Sequence, residues 1–327
     1  MAQMPTFHPK TALKALVQMR VRKRPFVLSH GINAKCNLRC PFCEYWRTPG
    51  PEMTTEAIFA MLGDAKSFGI GVYNAWTAEP LLRPDLPDIL GHAKSLGMVT
   101  SLITNGQLLS KRASELCDLD LLSVSVDGID SYREIRGASI EPVLEGIRAA
   151  QEAGHRVLMN CVISRKNLGE LEDLVRLAEE LGALISFEPL HETPGFEGVW
   201  DEMGVRDSDL PDYRRSVERL IDMKKKGRPI INSLTYLRMV RDRRPEFRCH
   251  APQIVLSVAS DGTVATCRVH KEPLGTISEG IARVWESSTE RRDEIVRECK
   301  GCLFFGYVEN SLLYDFRPEV LAHYEWM

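Results

Sequence analysis

The sequence has no apolar run approaching the roughly 20 residues that a membrane-crossing helix needs, which excludes a helical span. It has no excess of one charge: 42 Lys and Arg stand against 45 Asp and Glu, a net of −3, so no global field draws it to nucleic acid. Its opening stretch, MAQMPTFHPKTALKALVQMRVRKRPF, lacks the apolar core of a signal peptide, and the expected location is the cytoplasm. There is no internal repeat and no low-complexity tract. The nine cysteines are odd in number and unevenly spaced. In a reducing compartment that pattern speaks against a disulfide framework and for metal binding, with a few core thiols left over.

What is present is regular. Residues 9–23 set Leu13, Leu16 and Val17 among Lys10, Lys14, Arg20, Arg22 and Lys23, the pattern of a short basic amphipathic helix. Such a helix packs on the body of its own protein or meets a membrane surface, so residues 9–24 leave peripheral membrane contact open. From residue 25, β-rich runs at 25–31, 71–76, 98–103, 121–126, 156–163 and 184–188 alternate with helix-patterned stretches at 54–68, 85–96, 110–117, 140–153 and 167–181. This alternation predicts an α/β fold, a parallel sheet with right-handed crossovers, whose ligands sit at the carboxyl ends of the strands. After residue 195 the pattern changes. The segment HETPGFEGVW reads as a loop, 207–226 as a charged helix, 253–267 as a β-hairpin turning at Asp261-Gly262, and 310–324 as a helical tail. The expected organisation is a basic helix over 1–24, a barrel-like unit over 25–200, and a helical linker with a small second unit over 201–327.

The strongest chemical signal is Cys36-Asn-Leu-Arg-Cys40-Pro-Phe-Cys43, directly after the first predicted strand. Cysteine thiolates are the usual ligands of iron–sulfur clusters. Three ligands on a four-iron cubane leave one iron open to a substrate or cofactor. Structural zinc wants four ligands, and His30, the nearest candidate for a fourth, lies in the strand.

At these residues the chain resembles the radical S-adenosylmethionine (SAM) superfamily, whose motif is C-x3-C-x2-C with an aromatic residue, here Phe42, before the last cysteine. The resemblance implies a partial (βα)6 barrel, a SAM-binding 4Fe–4S cluster on Cys36, Cys40 and Cys43, and reductive cleavage of SAM to a 5′-deoxyadenosyl radical that abstracts hydrogen from a substrate. It also implies an external electron donor of flavodoxin or ferredoxin type. Where the family has Gly-Gly-Glu-Pro, this chain has Thr77-Ala78-Glu79-Pro80, with Glu79 matching the residue that accepts a bond from the SAM amino group. Thr104-Asn105-Gly106 is similar to the family's turn after the third strand. By the same resemblance Ser125 and Arg136 hold the SAM carboxylate, Asp127 belongs to the same cofactor-binding segment, and Asn160 is a candidate for the ribose. An arginine fork suits a carboxylate because it can bind both oxygens.

Cys249, Cys267, Cys299 and Cys302 form a second set, which resembles the twitch or SPASM-like auxiliary-cluster domain of some radical SAM enzymes and implies a second 4Fe–4S cluster. Four thiolates suit structural zinc equally well on spacing alone. Cys117 and Cys161 read as core thiols. His191, after the sixth strand, and Tyr73, in the second, are the catalytic candidates; an ordinary histidine titrates near working pH. The resemblance leaves the substrate open among peptides, lipids and tetrapyrroles or other cofactor precursors. No peptide-binding winged helix and no B12-binding domain is evident. The competing class is a non-catalytic zinc or iron–sulfur protein that carries electrons.

Overall fold

The computed structural model of the protein describes residues 9–191 and 197–321. Its sheet is built by strands β1 (Val27–Gly31), β2 (Val72–Trp76), β3 (Val99–Thr104), β4 (Leu121–Ser125), β5 (Val157–Ile163), β6 (Leu184–Pro189), β7 (Val255–Val258), β8 (Thr263–Ala265) and β9 (Pro273–Thr276). Among the described residues these make one nine-stranded sheet in the order β6-β5-β4-β3-β2-β1-β7-β8-β9. β1 to β6 are parallel neighbours in chain order, each reached by a helical crossover. The hairpin at Asp261-Gly262 forms as the sequence predicts, but its first strand also pairs in parallel with β1, so the C-terminal strands continue the same sheet.

The helices begin and end where local chemistry directs. Thr54 caps Thr55–Phe68 by accepting from the Ala57 amide at 3.2 Å, and Gly69 ends it in the left-handed region. Residues of one parity on the strands, among them Leu28, Tyr73, Leu102, Leu122, Met159 and Phe187, join the apolar crossover faces in one buried core. The other parity carries apolar residues near the strand starts and a row of polar ones farther along. Ser257, Ser29, Asn74 and Ser101 stand side by side across β7, β1, β2 and β3, and Ser125, Asn160 and Ser186 across β4, β5 and β6. A polar inner face lining a cavity is what a ligand-holding sheet needs.

The sheet is curled. Arg268 lies over the ring of Trp76, at the end of β2, while Glu188, near the end of β6, is one of its electrostatic neighbours. In a flat sheet those strands, four positions apart, would be roughly 19 Å from each other at the usual ~4.8 Å spacing.

Several local expectations are corrected. The basic N-terminal stretch is an α-helix over Pro9–Leu16 that widens into a π turn over Val17–Val21. Gln18 is buried and donates to the carbonyls of Pro25 (3.2 Å) and Phe68 (2.9 Å), while the Arg20 guanidinium lies 3.8 Å from the centroid of the Tyr314 ring. One side of the segment is anchored in this way, while Leu13, Leu16, Val17 and Val21 stay exposed; none of the described helices is long and apolar enough to cross a membrane. The 110–117 helix shrinks to Leu109–Arg112 followed by a 3-10 turn at Ala113–Glu115. The tail helix is Phe305–Tyr314 rather than 310–324, whose last three residues lie outside the described residues. Within the expected loop at 191–200, Glu197–Met203 is helical and residues 192–196 lie outside the described residues. Cys117 is exposed rather than core, whereas Cys161 is buried.

Candidate cluster and cofactor site

The first cysteine set occupies the loop that leaves β1. Cys40 is buried and Cys36 and Cys43 are half-buried. The loop is pinned on several sides. Trp46 Nε1 donates to the Cys40 carbonyl at 2.9 Å, the Ala34 amide to Glu52 at 3.0 Å, and the Met53 amide to Ser260 in the β7–β8 turn at 2.8 Å. An ion pair between Lys271 and Glu44 ties it to the C-terminal segment. The Leu38 amide points at Cys36 Sγ (3.4 Å), an N–H to sulfur contact of the kind that supports a thiolate.

Burial first, and the neighbouring Cys36 and Cys43 charges in part, push the Cys40 thiol up to about 11. Burial also raises Cys36, against the Leu38 amide bond. Thiols so placed stay protonated until a cationic centre takes their protons, as metal binding requires. Among the described residues no three His, Cys, Asp or Glu side chains converge tightly enough to hold one metal ion. The three thiols are electrostatic neighbours of one another. His30 is no fourth ligand: it is fully buried on the helix side of the sheet, its Nδ1 3.0 Å from Tyr73 Oη.

The same contact removes Tyr73 from the cavity. Its side chain has the parity of the helix-facing core, and the neighbouring Asn74 and Trp76 face the polar interior instead. Asn74 Oδ1 and Trp76 Nε1 are buried there with no protein partner.

After β2 the chain turns through Thr77 (φ 73°) and Ala78 (φ 45°), both left-handed. These are the positions where the resembled motif has two glycines, so the backbone path is kept without them at a cost of about 1–2 kcal/mol per residue. Glu79, fully buried, does not point an idle carboxylate at the cavity. Its Oε1 accepts from Thr104 Oγ1 (2.7 Å) and the Leu81 amide (3.0 Å), and its Oε2 from the Asn105 amide (2.8 Å). Burial raises its pKa, against those bonds. Glu79 thereby fixes the Thr104-Asn105 turn, and Asn105 Nδ2 reaches Asn37 Oδ1 at 2.7 Å and lies 3.8 Å from Cys36 Sγ. Gly106, at φ 79°, is required here because a Cβ would come within 2.8 Å of both Val124 and Val143.

Arg136 closes the opposite wall. Its Nε donates to Asp127 Oδ2 at 2.5 Å, its guanidinium lies 5.3 Å from the Phe42 centroid, and its carbonyl is 3.6 Å from Cys40 Sγ. Asp127, fully buried, also accepts from the Val162 amide at 2.8 Å. Although burial opposes its charge, Asp127 keeps Arg136 above the ordinary arginine range. Asn160 Oδ1 accepts from Ser186 Oγ at 2.5 Å, and Ser125 is its register neighbour. Phe42, Arg136, Thr104 and Asn105 thus surround the first cysteine loop, and Ser125 and Asn160 stand on the inner face.

Cys249, Cys267, Cys299 and Cys302 come together as the second set. Burial, the largest cause, and the other thiols of the set push Cys249 up to about 11 and Cys302 to about 12. The amides of His270 and Gly301 point at Cys267 Sγ (3.4 Å) and Cys299 Sγ (3.3 Å).

Between the two sets lies Arg268, which sequence reasoning missed. Its one sequence signal is adjacency to Cys267. Its guanidinium lies 4.7 Å from the Trp76 centroid and 4.5 Å from that of Phe304. His191 stacks on Phe304 at 3.8 Å, and Tyr45 meets Trp76 edge-on at 5.4 Å. Burial first, then the charge of Arg268, lowers His191 to about 4, so it is neutral near pH 7 rather than poised there.

A family model described as the Radical SAM superfamily matches residues 32–178. The chain is 28% identical over 280 residues to a probable GTP 3′,8-cyclase of Archaeoglobus fulgidus, covering 80% of this chain and 93% of that protein. It is 35% identical over 159 residues to a PqqA peptide cyclase of Streptomyces rochei, covering 46% of this chain and only 43% of that one. Among solved structures it shares the fold of anSMEcpe with bound AdoMet and Kp18Cys peptide, with TM-score 0.68 and 17% identity, over 87% of this chain and 88% of that one.

Proposed function

Since the chain belongs to the radical SAM superfamily, an enzyme family whose members carry a 4Fe–4S cluster and bind SAM, we propose that it cleaves SAM at a cluster on Cys36, Cys40 and Cys43 and directs the resulting radical at a substrate held between the two cysteine sets. A bound cluster with SAM supplies a 5′-deoxyadenosyl radical capable of abstracting hydrogen from an unactivated carbon. The observation that carries the proposal is the three-cysteine loop at the carboxyl end of β1, with Cys40 buried and Cys36 and Cys43 half-buried, while His30 in that strand is engaged by Tyr73.

The protein's own part is orientation. Asp127 engages one edge of the Arg136 guanidinium, which leaves the remaining N–H groups for the SAM carboxylate. Phe42 limits the space behind that group. Glu79 acts as a positioning residue for the Thr104-Asn105 turn rather than as a direct ligand. Ser125 stands with Arg136 on the carboxylate side and Asn160 offers a polar group to the cofactor's sugar, and the aromatic walls around Arg268 keep water from the reacting carbon. Cys249, Cys267, Cys299 and Cys302 fit an auxiliary 4Fe–4S cluster by the same burial and N–H to sulfur contacts. The cleavage needs one electron, delivered by a flavodoxin- or ferredoxin-type donor. Peptide substrates have support from the names of the peptide cyclase and of the peptide-bound structure.

The test is turnover of SAM. Anaerobically reconstituted protein with a strong one-electron reductant is expected to form 5′-deoxyadenosine and methionine in equal amounts. Protein that binds iron at both sets but forms neither product, with or without added electron carriers, contradicts the proposal.

A further inference from the structure

Three buried polar atoms around one guanidinium have no protein partner: Arg268 Nε, Trp76 Nε1 and His191 Nε2. They belong to one contiguous group. Arg268 lies over both Trp76 and Phe304, and His191 stacks on Phe304. They come from three separate places, the end of β2, the end of β6 and the segment after Cys267, and meet between the two cysteine sets. A cation buried among aromatic rings ordinarily has a carboxylate on it. Among the described residues no carboxylate lies within salt-bridge distance of Arg268. Glu188 is an electrostatic neighbour, but its Oε2 accepts from the Phe305 amide at 3.0 Å.

Resting on the function proposed above, we infer that Arg268, with Trp76 Nε1–H, is the anchor for a single carboxylate on an otherwise apolar substrate. Tyr45 engages a terminal nitrogen of the guanidinium, which leaves Nε as the unpartnered donor, and the indole N–H supplies a second donor for a carboxylate's two oxygens. The flanking rings of Trp76, Phe304 and Tyr45 accept the apolar body. One guanidinium among apolar rings balances one buried negative charge and not two, so the site selects a monoanion over a phosphate dianion or a polyphosphate. His191 Nε2 is left as an acceptor, because its other ring nitrogen is engaged by the Leu303 backbone. It therefore fits a donor group, a hydroxyl or amide N–H, on the same substrate.

The test uses reconstituted protein with SAM and three probes of one shape, 3-phenylpropanoate, 3-phenylpropanamide and 2-phenylethylphosphonate, at about pH 8.5, where the phosphonate is mostly a dianion. Affinities are read by saturation-transfer NMR. The acid is expected to bind at least about tenfold more tightly than the amide, the scale of a charge-assisted bond to a buried cation. The phosphonate should bind no better than the amide. Arg268→Gln should abolish the preference for the acid, Arg268→Lys should restore part of it, and Trp76→Phe, which keeps the ring and loses the N–H, should reduce it several-fold. Equal binding of acid and amide by the wild type, no binding of the acid at millimolar concentrations, a preference that survives Arg268→Gln, or tighter phosphonate binding each overturns the inference. The wild-type comparison stands even if a variant fails to fold. On the same samples, a SAM-induced change in the spectrum of the reduced cluster is recorded separately. If that change is present without acid preference, only the anchor fails. Acid preference without that change means the anchor stands and the SAM reading fails.

Discussion

Thr77 and Gly31 are fitted to each other: a Cβ built on Gly31 would come within 3.0 Å of Thr77 Oγ1 and 3.2 Å of its Cγ2. Thr77 is held in the left-handed region, and its hydroxyl donates to the Asn33 carbonyl at 3.1 Å. The glycine at the end of β1 thus makes room for the threonine that replaces one of the motif's own glycines, and the bond to Asn33 ties that turn to the first cysteine loop.

The pair is expected to couple. Gly31→Ala alone should destabilise the protein by about 1–3 kcal/mol through overpacking, and adding Thr77→Gly should recover most of that loss. Urea unfolding of the two single variants and the double variant measures the coupling directly. Additive losses would mean the side chains do not meet.

Arg136 should be sensitive to the shape of its charge. Arg136→Lys keeps the charge and loses the fork, and Asp127→Asn loosens the guanidinium without touching it. Each is expected to weaken SAM binding roughly tenfold or more while iron loading persists. Titration of SAM against the spectrum of the reduced cluster gives the affinities.

Glu79→Gln replaces an acceptor of three bonds with a group that must present an N–H to at least one of the donors Leu81, Thr104 and Asn105. The expected cost is about 1–3 kcal/mol of stability, the range for a buried polar group left unsatisfied. Thermal unfolding reads it, and a stability unchanged from wild type would show that the carboxylate is not what fixes the turn.

Acid sensitivity should trace in part to His30. Burial first and Arg83 second lower its pKa from 6.5 to about 3, so it is neutral in the folded protein. The unfolded chain takes up a proton below about pH 6.5 and the folded one does not, so this contribution is intact above that pH and is lost as pH falls towards 3. At pH 5 the loss is about 2 kcal/mol. His30→Gln should flatten the difference in stability between pH 7.5 and pH 5 by that amount; an unchanged difference would place the acid sensitivity elsewhere.

The strands and crossovers were legible because β-branched runs and helix-period stretches alternate so regularly from residue 25 to 188, and the two cysteine sets because their spacing is distinctive. The face of each strand was less legible. In GVYNAW both parities carry large side chains, so the sequence alone offers Tyr73, Asn74 and Trp76 alike to the cavity, whereas the packing gives Tyr73 to the helix side and leaves Asn74 and Trp76 facing inward. Arg268 was invisible for a different reason. Its meeting with Trp76 depends on the curl of the sheet and on β7 pairing with β1, a contact between distant segments that no local pattern encodes. The helix at Glu197–Met203 was hidden by the Pro-Gly signal just before it.

The most direct test of the central claim is electron paramagnetic resonance of the reduced protein with and without SAM, in the wild type and in a variant with Cys36, Cys40 and Cys43 all replaced by alanine. SAM is expected to change the wild-type spectrum, and the variant should keep a signal from the second cysteine set that does not respond to SAM. A wild-type spectrum indifferent to SAM, or a response that survives loss of the three cysteines, would contradict the account.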